Sequence, residues 1–344
     1  VSAVSAPRFS LQELLHPTPE QWKEMTTDPR RPFFHRATHM TVAPGSVFKA
    51  ITAVALLESG QFDPDAAQFC QGFLDRPDRH RCYIYSHYGV GHGELNLSQA
   101  LCQSCNVYFF QGAKKIGPHS LVHWAERFGI GQPTGIDVPG EQAGNLPKPP
   151  PRENPSVVPV GFESPRDSRS RWYPGDTLGL AIGQSRLTVT PLQMARVMAA
   201  IANDGFLITP HLVKGQGPVM IAPGESHQSL AAPEPLPIPG LTEGTLARVR
   251  EGLEMVVAHP KGTGYKTVRM KEVKIAGKTG TAEVGGGLPD HAWFAGYVPA
   301  DRPKYAFAIV LENAGSGGQN AGPIARQTVE TLLEVGLIQG QEPR

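Results

Sequence analysis

The sequence contains no apolar run approaching the roughly 18 residues of a membrane span, so it predicts no membrane-spanning helix. No signal peptide opens the chain either. An excess of one charge is also missing, because 32 Lys and Arg residues balance 31 Asp and Glu residues to a net charge of +1. Such a balance gives no electrostatic reason to bind nucleic acid, and we expect no nucleic-acid partner.

Cysteine is scarce, with four residues, whereas proline and glycine are plentiful, with 33 and 38 residues. The proline and glycine content predicts long surface loops, and we find no internal repeat. Hydrophobic residues make up 40% of the 344 residues, which is typical of a globular, core-forming protein. The opening residues alternate in polarity like a strand already under way. They predict a strand over residues 1–6 and a fragment whose upstream part was removed.

A serine and a lysine stand three residues apart at the start of an apolar run. The run predicts a buried helix over residues 46–59 that ends at Gly60. Residues at this spacing share a helix face, so Ser46 and Lys49 are expected to touch. Free backbone N–H groups at the helix start would favour negative charge developing at Ser46. Taken alone, the pair also fits a plain helix start followed by a lysine that reaches for solvent.

Two other polar groups stand out further along the chain. On a continuous helix Ser104 and Asn106 would point apart, so they serve one site only if the chain breaks between two helical runs there. A polar helix junction capped by Ser104 is the alternative. Lys278 interrupts an otherwise uncharged strand, and Thr279, Gly280 and Thr281 follow it. Glycine in a strand indicates either a close approach of backbone or ligand, or a simple bulge.

Periodicity predicts the remaining organisation as helices in the middle of the chain and strands at both ends. Ser98 is the expected N-cap of a short helix over 99–104. The other predicted helices are 107–117, 119–129, 190–205, 242–259 and 324–336, the predicted strands are 272–284, 291–300 and 304–314, and a proline-rich loop covers 145–171. This order predicts an α/β fold with a mostly antiparallel sheet flanked by helices.

The three polar groups together carry a family resemblance. Ser-x-x-Lys at 46–49, Ser-x-Asn at 104–106 and Lys-Thr-Gly at 278–280 occur in the order typical of penicillin-binding proteins and β-lactamases. The chain resembles the transpeptidase domain of a class B penicillin-binding protein over nearly its whole length, including 172–205, where Ser185 replaces an expected glycine. The stretches GHGELNLSQAL and HAWFAGYVPADRPKYAFAIVLEN resemble the elongation type, penicillin-binding protein 2.

The resemblance implies a penicillin-binding transpeptidase fold with an all-helical subdomain, occupying residues 1–344 as one domain. Residues 61–96 would form a loop region within that domain. A membrane anchor and a pedestal domain would belong to upstream residues. The protein would then work on the extracytoplasmic face of the bacterial inner membrane, with a SEDS-family glycosyltransferase and other elongation-machinery proteins as partners.

The implied reaction cross-links peptidoglycan stem peptides through an acyl-enzyme and releases the terminal D-alanine. Ser46 is the expected nucleophile and Lys49 its base, because a lysine in apolar surroundings loses its charge more easily. Ser104 would relay a proton to the departing amine. The other expected site residues are Asn106 and Lys278 for catalysis, with Thr279, Gly280 and Thr281 for substrate binding. β-Lactams would trap Ser46, and catalysis would require no cofactor.

Two functions sharing these motifs stay open at this point. A serine β-lactamase would need a group to hydrolyse its acyl-enzyme quickly, and no Glu-bearing loop in the sequence is assigned to that role. A β-lactam sensor domain would stay acylated, although such domains are usually shorter and lack the GQSRLTVTPLQ stretch.

The four cysteines lie close together in sequence, near several histidines. By resemblance to elongation-type relatives, Cys70, Cys82, His92 and Cys105 could hold a structural zinc ion, and a thiolate-rich set with one imidazole suits tetrahedral zinc. A Cys70–Cys82 disulfide is the second interpretation, because an extracytoplasmic protein can form one. The third is that Cys102 and Cys105 are buried thiols without a function.

Overall fold

The computed structural model describes residues 1–151, 172–213 and 233–340, so most of the predicted proline-rich loop at 145–171 lies outside the described residues. The helices of the described part are α1 (Leu11–Leu15), α2 (Pro19–Thr27), α3 (Arg36–His39), α4 (Lys49–Glu58), α5 (Tyr83–Tyr88), α6 (Leu97–Cys102), α7 (Asn106–Arg127), α8 (Pro174–Ala181), α9 (Pro191–Ala202), α10 (Glu243–Ala258) and α11 (Gly322–Glu334). Its strands are β1 (Gln68–Cys70), β2 (Gly93–Leu95), β3 (Phe206–Leu207), β4 (Leu236–Pro237), β5 (Ala276–Ala282), β6 (His291–Val298) and β7 (Tyr305–Leu311).

The main sheet is antiparallel and has the strand order β5-β6-β7, with the short hairpins β1-β2 and β3-β4 elsewhere. The predicted α/β class and antiparallel sheet are confirmed. The predicted strand over residues 1–6 is wrong, because this segment is irregular. Val1 and Val4 are 57% and 76% exposed, so the alternating pattern there has no buried face to pair against.

Strand β6 lies between two hydrophobic cores, and its side chains alternate between them. Trp293, Ala295 and Tyr297 belong to the larger core, which also contains the buried residues of α4, α7 and α9. Phe294 and Val298 belong to the smaller core, which is built with α10 and α11. Because successive strand residues point to opposite faces, one buried strand joins both cores.

The predicted helices form, with local corrections. The two runs 107–117 and 119–129 are merged in α7, which is interrupted at Gly117 (φ 76°) and Pro118. The prediction of Ser98 as an N-cap is wrong. Asn96 caps α6 through a reciprocal pair of hydrogen bonds with Gln99, and the buried Ser98 hydroxyl donates to Glu251 instead. Among the described residues, every helix is too short or too polar to span a lipid bilayer.

Candidate active site

Ser46 lies in a single 3₁₀ turn, Gly45–Phe48, that runs directly into the buried helix α4. The turn packs so closely against β5 that a Cβ atom on Gly45 would lie 2.5 Å from the Thr281 carbonyl oxygen. Gly45 also has φ +55°, a conformation that glycine adopts without strain. Ser46 is partly exposed, and its hydroxyl makes no hydrogen bond to any described residue. The Ser46 hydroxyl is therefore free of protein partners among the described residues, and we call the space between this turn, β5 and the α6–α7 junction the cleft.

Lys49 is completely buried, and its ammonium links the Ser46–Lys49 motif to the Ser104–Asn106 motif. It donates to the Asn106 Oδ1 at 2.6 Å, to the Ser104 carbonyl at 2.8 Å and to the Ser104 hydroxyl at 3.3 Å. Lys49 and Ser46 were expected to touch, but among the described residues no hydrogen bond joins their side chains. Ser46 lies in a 3₁₀ turn, in which side chains three residues apart eclipse, so the two side chains still share a face. The Lys49 ammonium donates to Ser104 and Asn106 instead.

Ser104 marks a real break in the chain, as the spacing of Ser104 and Asn106 required. Helix α6 ends at Cys102, α7 begins at Asn106, and Ser104 between them has φ +55°. A left-handed conformation is costly for a serine and persists only where the surroundings impose it. Here it turns Ser104 and Asn106 toward the same ammonium, which a continuous helix could not do.

Burial lowers the pKa of Lys49 to about 8, and the neighbouring thiols of Cys82, Cys105 and Cys70 partly oppose this shift. Burial also lowers the pKa of Lys278 well below its ordinary value, and the nearby Lys49 ammonium lowers it further. Two buried amines close to each other disfavour a double positive charge. A neutral Lys49 can therefore be populated near neutral pH, as a base for Ser46 requires.

Strand β5 forms the opposite wall of the cleft and has a neighbouring strand on one side only among the described residues. The Thr281 carbonyl accepts a hydrogen bond from the Gln184 side chain at 3.3 Å, so it points away from β6. In an antiparallel strand the N–H of the same residue faces the same edge, so the Thr281 N–H also faces the Ser46 turn. The backbone N–H groups of Ser46 and Thr281 can then serve as a pair of oxyanion donors.

The other residues of the third motif are fixed by packing. The Thr279 hydroxyl shares a 2.6 Å hydrogen bond with the Thr263 hydroxyl, and the fully buried Lys278 ammonium donates to the Thr279 carbonyl at 3.1 Å. A glycine inside a strand indicated a close approach by other atoms, and Gly280 does lie close to the backbone at Pro44. A Cβ atom there would lie 3.0 Å from the Pro44 carbonyl oxygen, so the space belongs to the Ser46 turn.

Sequence reasoning missed three residues that support the cleft. The Gly183 carbonyl accepts from Gly45 N at 2.8 Å, Gln184 holds Thr281, and Thr263 holds Thr279. For these three residues the only signal in the sequence was a glycine, Gly183, directly before Gln184. Ser185, where a glycine was expected, has φ +69° and donates to Asp176 at 3.2 Å. The loop thus keeps the conformation that glycine favours.

Three of the cysteines and one histidine form a compact cluster beside the second motif. Cys82 Sγ lies 3.7 Å from both Cys70 Sγ and Cys105 Sγ, Cys70 Sγ lies 3.5 Å from His92 Nδ1, and all four ligand atoms lie within 4.8 Å of one another. Zinc bonds of about 2.3 Å to sulfur and about 2.0 Å to nitrogen give tetrahedral edges of about these lengths.

The donor set therefore fits a tetrahedral zinc ion without rearrangement. A disulfide requires sulfur atoms about 2.05 Å apart, and all four cysteines are free thiols in the structure. Cys102 lies outside the cluster, and its thiol donates to the Met255 carbonyl at 3.4 Å. The N–H groups of Val107 and Tyr108 donate to Cys82 Sγ and Cys105 Sγ, each at 3.4 Å, which stabilises thiolates.

Comparison with known proteins gives matches over almost the whole chain. The family model for the penicillin-binding protein transpeptidase domain matches residues 14–330. The peptidoglycan D,D-transpeptidase MrdA of Haemophilus influenzae is 33% identical over 337 residues, covering 93% of this chain and 48% of that protein. The chain thus spans about half the length of the curated relatives it matches.

Two solved structures show the same fold. Penicillin-binding protein 2 of Pseudomonas aeruginosa, in complex with WCK 5153, has a TM-score of 0.78 and 31% identity, covering 96% of this chain and 70% of that one. Penicillin-binding protein 2 of Helicobacter pylori, in complex with MreC, has a TM-score of 0.75 and 26% identity, covering 93% and 55%.

Proposed function

Because this chain belongs to the penicillin-binding protein transpeptidase family, we propose that it is the transpeptidase unit of an elongation-type class B penicillin-binding protein. Its proposed activity is that of a serine-type D,D-transpeptidase. The observation that carries this proposal is the buried Lys49 ammonium, which lies one turn after Ser46 and binds both Ser104 and Asn106. Lys49, the proposed base, thereby connects the turn of the nucleophile Ser46 to Ser104, which can protonate a leaving amine.

In the proposed reaction, neutral Lys49 takes the Ser46 proton as Oγ attacks the carbonyl of the penultimate D-alanine of a stem peptide. The oxyanion of the tetrahedral intermediate is held by the N–H groups of Ser46 and Thr281. Ser104 passes a proton to the amine as the carbon–nitrogen bond breaks and D-alanine leaves. An amine from a second stem peptide then attacks the ester, forming the cross-link and returning the proton to Ser46.

The open edge of β5 supports peptide binding as an added strand, in which main-chain hydrogen bonds give affinity. Thr281 is exposed, and its hydroxyl accepts from Gly317 N at 3.3 Å, so its own proton is free to meet a substrate carboxylate. Lys278 is fully buried, so its contribution is electrostatic. Penicillins and other β-lactams would acylate Ser46 in the same geometry.

We also propose that Cys70, Cys82, His92 and Cys105 hold one structural zinc ion, supported by the tetrahedral spacing of the four ligand atoms. Bound zinc would crosslink the 61–96 loop to the second motif, because Cys105 lies between Ser104 and Asn106. The loop touches the cleft as well, since the Asn106 amide donates to the Arg81 carbonyl at 2.8 Å. The zinc ion would be structural, and catalysis itself would require no cofactor.

Peptidoglycan lies outside the cytoplasmic membrane, so the proposed workplace is the extracytoplasmic face of that membrane. The Helicobacter pylori relative in complex with MreC supports an elongation-machinery protein as a partner. A SEDS-family glycosyltransferase is the proposed partner that would supply the glycan strands.

The test is a mass spectrum of the purified chain after incubation with a labelled penicillin. A transpeptidase gives a slowly lost adduct on Ser46 and releases D-alanine from a stem-peptide donor. Rapid turnover of penicillin would favour a β-lactamase, and a permanent adduct without activity on the donor would favour a sensor. Ser46→Ala, which removes one oxygen atom from a partly exposed side chain, should stay folded and acquire no adduct mass.

A further inference from the structure

The cations around the cleft differ in accessibility. Lys49 and Lys278 are both 0% exposed, and their ammonium groups are engaged by Ser104, Asn106 and the Thr279 carbonyl. Neither amine can meet a substrate carboxylate directly in this arrangement. An ion pair with a substrate carboxylate would therefore require a cation on the rim of the cleft.

The segment around Thr263 lies on this rim, between the second motif at 104–106 and the third motif at 278–280. Its backbone N–H donates to the Cys102 carbonyl at 3.3 Å, two residues before Ser104. Its hydroxyl bonds the Thr279 hydroxyl at 2.6 Å. On the remaining side, a Cβ atom on Gly318 would lie 2.8 Å from the Thr263 carbonyl oxygen. The segment is thus anchored on three sides.

Lys261 is exposed and lies two residues before Thr263. Because the Thr263 N–H bonds the Cys102 carbonyl, the Lys261 backbone lies close in the chain to the wall that carries Ser104. Burial raises the pKa of the Cys102 thiol to about 11, and the ammonium groups of Lys278 and Lys261 partly oppose this shift. In the part of the chain that the structure describes, Lys261 forms no ion pair with a carboxylate. Lys266 and Lys271, further along the segment, are likewise exposed and without an ion pair there.

We propose that Lys261 binds a carboxylate of the substrate on the leaving-group side of Ser46. The inference rests on the proposed function, in which Ser104 protonates the departing amine, so D-alanine leaves past Thr279 and the Lys261 rim. By microscopic reversibility, the amine of the acceptor then enters at the position that the departing amine has left. The ligand class is an amino acid or peptide end with a carboxylate beside its amine. That carboxylate belongs either to the departing D-alanine or to the acceptor.

An exposed ion pair of typical strength gives a two- to five-fold preference, about 0.4–1 kcal/mol. The experiment compares the wild type with Lys261→Gln and with the matched control Lys271→Gln, which removes the same charge from the same segment. In the donor arm, the rate of acyl-enzyme formation is measured with a peptide ending in D-alanyl-D-alanine and with its terminal amide. In the acceptor arm, transfer relative to hydrolysis is measured with D-alanine and with D-alaninamide.

Lys261→Gln should lower the preference for acid over amide by about two- to five-fold in at least one arm, whereas Lys271→Gln should keep the wild-type preference. A loss in the donor arm assigns the terminal carboxylate, and a loss in the acceptor arm assigns the entering substrate. Unchanged preferences in both arms, or equal losses in both variants, overturn the inference. Penicillin labelling of the wild type separates the two levels, because its failure would overturn the proposed function instead.

Discussion

Lys49 places an ionisable amine where no water reaches it, and this burial sets the pH range of its chemistry. The amine donates to Ser104 and Asn106, which are close to it only because the chain breaks at Ser104. The sequence predicted the break, from the spacing of two polar residues. It could not predict the Lys49 contact, because side chains 55 and 57 positions apart meet through tertiary packing alone.

The rate of acylation by penicillin should rise with pH. In the proposed reaction neutral Lys49 is the reactive form, and its pKa is about 8, so the rate should increase about tenfold per pH unit below 8 and level off above it. The measurement is the acylation rate constant from pH 6 to 10. Lys49→Met fills the same space without accepting a proton, and should slow acylation by about 10²–10⁴-fold and remove the rise. A flat wild-type profile would assign the base to another group.

At the scale of an element, the Ser46 turn depends on a missing side chain. Gly45 and Gly60 both have positive φ, but only Gly45 faces backbone, at Thr281, whereas a Cβ atom on Gly60 meets nothing within 4 Å. Gly60→Ala should cost about 1 kcal/mol of unfolding free energy from the backbone conformation alone. Gly45→Ala should cost at least about twice that and slow acylation, because the turn must separate from β5.

Chemical denaturation and penicillin acylation of both glycine variants would check this prediction. Equal costs in the two variants would mean that the contact between the turn and β5 adjusts freely. Sequence patterns could not predict the contact of Gly45 with Thr281, since the approach of β5 joins segments more than 200 residues apart.

Removing the proposed metal should act on two elements together. Chelation should lower the melting temperature and slow acylation, because Cys105 anchors the junction between α6 and α7. Elemental analysis should find about one zinc ion per chain in the wild type and in Cys102→Ser, whose thiol lies outside the cluster, but not in Cys82→Ser. A chain without metal that loses stability to reductant would favour the Cys70–Cys82 disulfide.

For the whole molecule, β6 couples the two hydrophobic cores. Trp293 packs in the larger core and Phe294 in the smaller one, and both are 0% exposed. Trp293→Ala and Phe294→Ala should each lower the unfolding free energy by about 3–5 kcal/mol and shift one shared calorimetric transition. Two transitions that respond separately to the two variants would show that the cores unfold independently.

The sequence predicted this architecture best where local periodicity and burial agree, as in α9, α10 and β5–β7. It failed at residues 1–6, where alternation without a buried face does not make a strand, and at Ser98, where a better capping residue stands two positions earlier. Thr263 and Gln184 were missed because their roles come from distant partners. Thr263 has no local pattern that distinguishes it from an ordinary loop residue, and for Gln184 the only local signal is the glycine before it.

The open edge of β5 has a consequence for the behaviour of the protein in concentrated solution. In the proposed function this edge receives a peptide, and among the described residues no second strand pairs with it, so it is also a template for pairing with another molecule. The molecule limits this hazard by keeping the strand to seven residues and by packing Gly45 and Gln184 against Thr281. Colloidal stability and substrate access therefore depend on the same few hydrogen-bonding groups.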